Sequence, residues 1–447
     1  MKLAFCRKLL LIISFSFCIV SAQNKDTLRL TLDDAISKAL VNNWDVKLSS
    51  KDVQKAQEQI DEAYANAFPR IDLQGTYLRN IKLPVLFLPP NTAFNPSPQT
   101  QTLELGSKNS YDAALTISQV LYSQKVNTAI RIAGDYADYA STGKKATDQQ
   151  IKLAVKKTFY TILLMKQLVK VARQNFNAAQ ANYENVSALY KQGVASEYDF
   201  LRSEVQAANV KPFLIQAQNN YELSKITLKN ILAIDIGTPV EVVGEFKMKK
   251  IEPEVMEEAG AGALKNNPLV KQLRIHESLL DKNITIQKAD YFPTLAFFGQ
   301  YDYQTQDNTY RFSKYKWVQT FMVGLQLNYT LFDGFGRSAR VQQAVIDKEK
   351  VGLGLRKLEE GLKVQIQGSK MKMEEAEKKI IAQEKSLQQA EKALKIAETR
   401  YKSGVGTQLE VIDTQAAHML AQTNYSQAIY DYLIAEADWE YAVGNNN

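Results

Sequence analysis

Two carboxylates near the end of the chain have a spacing that could carry chemistry. Glu410 and Asp413 are three residues apart and follow a glycine-containing turn. Residues three apart on a helix share one face, so both carboxylates can point to one place. Like charges held together raise one another's pKa, and an ionised cluster attracts cations and holds back anions. A plainer interpretation stays open, in which Glu410 only caps a helix and Asp413 is a surface charge.

Other residues that often act in catalysis or metal binding form no convincing pattern. His276 and His418 are the only histidines, and they are far apart without a Cys or carboxylate cluster of ligand spacing beside them. Ser313 and Lys316 have the spacing of a nucleophile motif, but its companion motifs are absent. We therefore predict a protein that is not an enzyme and has no cofactor and no metal site.

Residues 1–22 have the organisation of a cleaved secretory signal peptide: basic residues, an apolar run and small residues at the end. Both cysteines, Cys6 and Cys18, lie in this segment, so the exported chain can form no disulfide. Cys18 follows Phe17, which disfavours lipid attachment there. Loss of the three basic residues of the leader lowers the formal charge from +7 to +4, too little to argue for nucleic acid as a partner.

The turn before the two carboxylates occurs twice in the chain. The segment Arg400–Ile412 matches Leu189–Leu201 at a constant offset of 211 residues. One copy alone would fit an ordinary helix-turn-helix inside a bundle, but two copies in one register are better explained by a structural repeat. The equivalent pairs are Tyr190 and Tyr401, Gly193 and Gly404, and Asp199 and Glu410.

Each turn is predicted to be the tip of a helical hairpin. Apolar or small residues recur three and four apart from Val169 to Tyr190 and from Ile380 to Tyr401, which is the spacing of a coiled-coil seam. After the turn, Ser196 and Thr407 stand as N-caps with a carboxylate three residues later, as in a capping box.

A second offset, of 224 residues, extends the repeat to the earlier part of each half. We predict one repeat over residues 23–254, ending in an irregular insert at about 235–254, and a second over 255–447. A capping box at Thr31 and Asp34 begins the first helix, which we expect to continue through Asn43. The equivalent pairs include Asn42-Asn43 with Asn266-Asn267 and Phe68-Pro69 with Phe292-Pro293.

After each Phe-Pro the apolar pattern changes from a helical period to a period of two. This predicts one strand hairpin at about 69–122 and another at about 293–332, each strand with an apolar and a polar face. The connection Pro84–Lys108 reads as a long polar loop, and Thr305–Lys316 reads as a shorter one. Long polar loops at one end of such strands are typical of membrane barrels.

Very long helices are predicted between the strands and the tips. They cover about Gln124–Tyr190 and Arg337–Tyr401, and each would reach on the order of 100 Å. The returning helices cover Ser196 to about Ile231 and Thr407 to about Val443, and Pro212 should bend the first of them.

After the leader, no run of about 18 uncharged apolar residues is present, so a transmembrane helix is not expected. The strands are then the only candidates for crossing a membrane. Lipid cannot satisfy an open sheet edge, and about eight strands make the smallest closed barrel, so four are too few. If these strands cross a membrane, the chain must oligomerise.

This order of elements, repeated twice, resembles the TolC-like outer membrane efflux proteins, also called outer membrane factors. The resemblance covers nearly the whole exported chain. Its most specific pieces are Leu30–Ala35 with Asn42-Asn43, Leu331–Gly334 after the last strand, and Tyr401–Thr407 with Glu410 and Asp413.

The resemblance implies a homotrimer in which four strands per chain form one twelve-stranded β-barrel in outer membrane lipid. A tube of twelve α-helices would continue it across the periplasm and would close at its tip. Such proteins are passive exit ducts in tripartite efflux or type I secretion. They work with a periplasmic adaptor (membrane fusion) protein and an inner-membrane pump of the RND, ABC or MFS type, and they export drugs, metals or proteins.

The resemblance also implies roles for the tip residues. Glu410 and Asp413 would form the constricting aperture, and Asp199 with Tyr401 would hold the tip closed. Where the family pattern has a basic residue after the tip glycine, this chain has Gly406, so the basic partner of Asp199 is missing. The residues implied in adaptor docking are Gly193, Val194, Ala195, Ser196, Gly404, Val405, Gly406 and Thr407.

An exported coiled-coil scaffold or adhesin without channel activity remains the alternative. It would share the helical seams and would also lack catalysis. It would not need four two-faced strands at positions related by a repeat, and this feature separates the two interpretations.

Overall fold

The computed structural model describes residues 27–444. The leader predicted at 1–22, with Cys6 and Cys18, lies outside these residues. The helices are α1 (Leu32–Asn42), α2 (Trp44–Ala65), α3 (Gln124–Lys191), α4 (Glu197–Ile231), α5 (Pro253–Asn266), α6 (Pro268–Ala289), α7 (Gly336–Lys402) and α8 (Gln408–Val443). The strands are β1 (Leu28–Leu30), β2 (Arg70–Arg79), β3 (Val85–Leu88), β4 (Gln101–Glu104), β5 (Asn109–Tyr122), β6 (Val240–Val242), β7 (Thr294–Asp307) and β8 (Val318–Asn328).

The two predicted hairpins join into one antiparallel sheet of four strands in the order β2-β5-β7-β8. Directly paired residues share a face of a sheet, so its cross-strand rows show whether the predicted faces are real. One apolar row is Leu73, Leu115, Tyr301 and Phe321. Leu73 and Phe321 in this row are 79% and 71% exposed. The sheet therefore carries an apolar face that the chain itself leaves uncovered.

The long helices confirm the predicted lengths to within one residue at each end. Helix α3 has 68 residues and α7 has 67, so each is on the order of 100 Å long. Each packs against its returning helix, α4 or α8, and α8 also packs against α3. The predicted seam is confirmed on α7, where its positions are buried or half-buried while most neighbouring positions are exposed.

Helix α4 continues as one helix from Glu197 to Ile231 with Pro212 inside it. Proline has no backbone N–H and clashes with the preceding turn, so it often ends a helix. Here the surrounding helix tolerates it, and the predicted bend stays a prediction.

The prediction that the first helix continues through Asn43 is wrong. Asn43 ends α1 and is the N-cap of α2, where its side-chain oxygen accepts from the backbone N–H of Asp45 at 2.8 Å. Its amide nitrogen also donates to the carbonyl of Ile231, the last residue of α4, at 2.8 Å. Asparagine competes for backbone hydrogen bonds and so favours a cap over a helix interior.

The second repeat has the same break at the equivalent asparagine. Asn267 caps α6 by accepting from the N–H of Leu269 at 3.0 Å, and its amide nitrogen donates to the carbonyl of Ala442 at 3.3 Å. Ile231 and Ala442 are themselves 211 residues apart. Each repeat therefore ties its first helical break to the end of its own returning helix.

Two small sheets were missed by the sequence analysis. Strand β1 pairs in parallel with β6, which places the Val240–Val242 run of the insert in a core that it shares with Phe159. Strands β3 and β4 form a short hairpin inside the connection that was predicted to be a loop. Strand β7 also extends to Asp307, into the second predicted loop.

Among the helices of residues 27–444, none is long and apolar enough to cross a membrane.

Candidate functional site

The two tip turns have the same backbone structure. Gly193 and Gly404 lie two residues after the ends of α3 and α7 and both have a φ of +73°, a conformation that residues with a Cβ adopt at a cost. In the first tip the N–H of Val194 donates to the carbonyl of Leu189 at 2.9 Å, and in the second Val405 donates to Arg400 at 3.1 Å. This is the Schellman arrangement that closes a helix C-terminus.

The predicted N-caps are confirmed, but the predicted capping boxes are wrong, because neither acid accepts from the backbone N–H of its N-cap residue. The Ser196 hydroxyl accepts from the N–H of Asp199 at 3.1 Å and lies 2.7 Å from its carboxylate. Thr407 accepts from the N–H of Glu410 at 3.3 Å, while the Glu410 carboxylate pairs with Arg400. The Glu410 carboxylate therefore takes part in an ion pair rather than in a capping box.

The residues implied in docking lie at the surface of the two turns. Val194 and Val405 occupy equivalent positions and are 71% and 69% exposed, so each tip presents one apolar side chain. Gly193 and Gly404 are exposed beside them, and Ala195 is half-buried. The geometry suits contact with another chain, because a small, rigid turn with one exposed valine offers both backbone access and an apolar anchor.

The two carboxylates of the predicted aperture differ in their surroundings. Glu410 is half-buried, and its Oε2 lies 3.4 Å from Nε of Arg400. Asp413 is exposed, and within residues 27–444 its carboxylate has no ion pair or hydrogen bond. The two acids therefore do not form an equivalent pair of free charges.

Arg400 is a tip residue that the sequence analysis missed. Its guanidinium also donates to the carbonyl of Val405 at 3.4 Å, so it lies across the turn. A Cβ at Gly406 would come within 2.9 Å of the Arg400 Cβ and 3.0 Å of the Tyr401 nitrogen. The glycine at the position where the family pattern is basic thus makes room for a basic residue six positions earlier.

Asp199 and Tyr401, the two proposed closing residues, interact electrostatically but form no hydrogen bond with each other. Burial raises the pKa of the Tyr401 hydroxyl, and the negative charge of Asp199 raises it further. The Asp199 carboxylate is hydrogen-bonded to Ser196 rather than to Tyr401. A direct closing link between Asp199 and Tyr401 stays a prediction.

In the first tip, an aromatic contact joins the end of α3 to the first turn of α4. Tyr190 and Phe200 stack with ring centroids 5.0 Å apart and an interplanar angle of 12°. The residues equivalent to this pair in the second tip are Tyr401 and Val411, which cannot stack. Stacked rings therefore connect the two helices at the first turn and an ion pair connects them at the second, a difference that the repeat in the sequence does not show.

The histidines and Ser313 lie apart from the tips and from one another. His276 packs against Tyr139, with ring centroids 5.6 Å apart. His418 lines a polar cavity of about 410 Å³ between α3, α7 and α8. Ser313 lies in a short 3₁₀ turn, Phe312–Lys314. Between residues 27 and 444, no group of three or more His, Cys, Asp or Glu side chains could hold a metal ion.

Known proteins resemble this chain in sequence and in fold. The family model described as outer membrane efflux protein matches residues 35–233 and 261–445, one segment in each repeat. The alkaline protease secretion protein AprF of Pseudomonas aeruginosa is 23% identical over 75% of this chain and 70% of its own length. The antibiotic efflux pump outer membrane protein ArpC of Pseudomonas putida is 22% identical over 71% of this chain and 63% of its own length, less than two thirds of it.

A solved structure has the same fold. The CmeC outer membrane channel of Campylobacter jejuni superposes with a TM-score of 0.76 at 15% identity, over 93% of this chain and 85% of that one. At this identity the likeness is one of fold, and it confirms the expected combination of long helices with a four-stranded sheet.

Proposed function

The chain belongs to the outer membrane efflux protein family, and from this premise we propose that it is the exit duct of a tripartite efflux or type I secretion system. It lies in the outer membrane and extends into the periplasm. As a duct it works as a passive channel without chemistry of its own.

One observation carries this proposal: an uncovered apolar sheet face stands at the end of helices on the order of 100 Å long. A soluble protein rarely exposes so large an apolar surface. Lipid covers such a face, while the helices reach far from the membrane. A coiled-coil scaffold or adhesin would have no use for this sheet.

The sheet also supports assembly from several copies. Its outer strands, β2 and β8, each have one partner, so each has one free edge. Unpaired backbone groups are costly in lipid, and pairing β2 of one copy with β8 of the next satisfies both edges. We infer a homotrimer, because three copies supply twelve strands and the family resemblance implies that number.

The tips are proposed as the docking and closing end of the duct. A periplasmic adaptor protein would contact the turns around Val194 and Val405, and an inner-membrane pump of the RND, ABC or MFS type would supply the cargo. Support comes from the equivalent geometry of the two turns and their exposed valines. Glu410 and Asp413 are proposed as the aperture, and Asp199 and Tyr401 as part of the closed state.

The test of this function uses a matched pair of neighbouring residues on β2. Leu73 lies on the apolar face and Gln74 on the opposite one, since successive strand residues alternate. We expect purified wild-type protein to conduct ions in planar bilayers. Leu73→Lys should lose outer-membrane insertion and current, because a charge facing lipid costs about 2–4 kcal/mol at mid-depth. Gln74→Lys should keep both. Equal behaviour of the two variants, or no wild-type current, would contradict the proposal.

A further inference from the structure

We propose that Arg400 is the built-in counter-ion of Glu410, so that Asp413 alone carries the effective charge of the aperture and sets its ion preference. This inference rests on the proposed duct and assigns the charge of its constriction to particular residues. The sequence and the resemblance imply that both acids contribute to the aperture.

The contacts around Arg400 fix it on the turn. Its Nε lies 3.4 Å from the Glu410 carboxylate, and its Nη2 lies 3.4 Å from the Val405 carbonyl. The same residue's own carbonyl accepts from the N–H groups of Val405 and Gly406. Both the side chain and the backbone of Arg400 therefore contact the turn. Gly406 has no side chain that would clash with Arg400 there.

Comparison of the repeats shows that this pairing belongs to the second tip. The residues equivalent to Arg400 and Glu410 in the first tip are Leu189 and Asp199. Leucine cannot pair with a carboxylate, and Asp199 is bonded to Ser196 instead. The ion pair is therefore not required to form this kind of turn, since the first tip forms the same turn without it.

The net charge of the side chains around the aperture determines how strongly it attracts or repels a passing ion. Opposite charges 3.4 Å apart act as a small dipole at larger distances, while an unpaired charge acts over about 10 Å at 0.1 M salt. In a threefold assembly, Glu410 and Asp413 would otherwise give about six negative charges. Pairing by Arg400 leaves about three, all of them on the exposed Asp413.

The ion pair should matter little for folding. Both side chains are about half exposed, and exposed ion pairs contribute little to folding stability. Variants at Arg400 and Glu410 should consequently assemble normally, which allows their currents to be compared.

The experiment measures the reversal potential of single channels in a KCl gradient and the concentration of La³⁺ that blocks half of the current. We expect Arg400→Gln to raise the cation-to-anion permeability ratio about twofold or more, since the net negative charge roughly doubles, and to lower the half-blocking concentration. Asp413→Asn should abolish most of the cation preference. The double variant Arg400→Gln with Glu410→Gln should return to the wild-type ratio, because it removes the pair without changing net charge.

Lys385→Gln is the matched control, because Lys385 is an exposed base of α7 fifteen residues before Arg400, about 22 Å along the helix and so beyond the screening distance. It should leave the permeability ratio near that of wild type. The inference is overturned if Lys385→Gln acts like Arg400→Gln, or if Arg400→Gln leaves the permeability ratio unchanged. Wild-type protein without any current would overturn the proposed duct together with this inference, whereas a wild-type current with an inert Arg400→Gln overturns the inference alone.

Discussion

At the scale of single residues, Asn43 and Asn267 each join two parts of a repeat. Each caps one helix with its side-chain oxygen and binds the end of another with its amide nitrogen. The asparagine pairs were visible in the sequence, but a helical pattern that runs up to Asn43 gives no sign of a break. The partner of the amide nitrogen, Ile231, is 188 residues away, so only the fold reveals it.

Asn43→Ala should lower the free energy of unfolding by about 1–3 kcal/mol, from loss of the cap and of a largely buried hydrogen bond. Asn43→Ser should lose less, because the serine hydroxyl can keep the cap and the variant removes only the donor to Ile231. Denaturant unfolding followed by circular dichroism would measure both, with Asn42→Ala as the control. A loss in Asn42→Ala as large as that in Asn43→Ala would contradict the assigned role.

The tip valines give a second residue-scale prediction. Val194→Asp combined with Val405→Asp should abolish export in cells, because a charge in an apolar contact must be desolvated on docking. Assembly and bilayer current should persist, since both side chains are exposed in the free chain. Substituting Gly193 or Gly404 would be a poorer test, because their positive φ would strain the turn itself.

Val194→Ile with Val405→Ile is the control for this test and should keep export. Full export by the double Asp variant would place adaptor docking elsewhere on the chain.

At the scale of elements, α3 and α8 meet through a band of charged residues. Lys156 and Lys157 of α3 pair with Glu440 and Asp438 of α8. Glu436 lies in the same region, and burial raises its pKa to about 7, with a further contribution from Glu440 that Lys156 and Lys249 partly oppose. A carboxyl group is thus held partly protonated at neutral pH where two long helices pack.

The sign of the resulting pH dependence follows from linkage. The folded state binds a proton at Glu436 more tightly than the unfolded chain does, so this contribution is present at acid pH and is lost as the pH rises through about 7. We expect thermal stability to fall between pH 5.5 and about pH 8, and Glu436→Gln to flatten that fall. An unchanged slope in Glu436→Gln, measured by melting at each pH, would show that another group titrates.

The sequence predicted those elements whose patterns are long and local. The helices α3 and α7, their tips and the four main strands repeat a period over many residues, so their bounds were found closely. Strand β1 has only three residues, and its partner β6 is over 200 residues away, which leaves no local signal. Strands β3 and β4 lie in a segment rich in Pro, Asn and Thr, whose composition favours a loop.

At the second tip too, the sequence predicted the local features but not a contact that depends on how the chain folds back. Spacing placed Glu410 and Asp413 on one helix and both glycines in turns, and the structure agrees. The pairing of Arg400 with Glu410 crosses the turn, so it depends on how the chain folds back rather than on helical spacing. Arg400 and Lys402 both lie within ten residues before Glu410, and nothing in the sequence distinguishes which of them pairs with it.

At the scale of the whole molecule, one chain is incomplete as a duct. Its sheet has two free edges and an uncovered apolar face, and four strands cannot close on themselves. Large apolar side chains such as Leu353 and Val364 on α7 are also exposed, and a neighbouring copy could cover them. These surfaces are satisfied together if copies assemble side by side around an axis.

The number of copies in the assembled protein therefore tests the account most directly. Native mass spectrometry of the protein, extracted from outer membranes in mild detergent, should give three chains per particle, with no stable monomer. A monodisperse monomer that keeps its sheet and resists unfolding would contradict the account, because its open edges and apolar face would then need no partner.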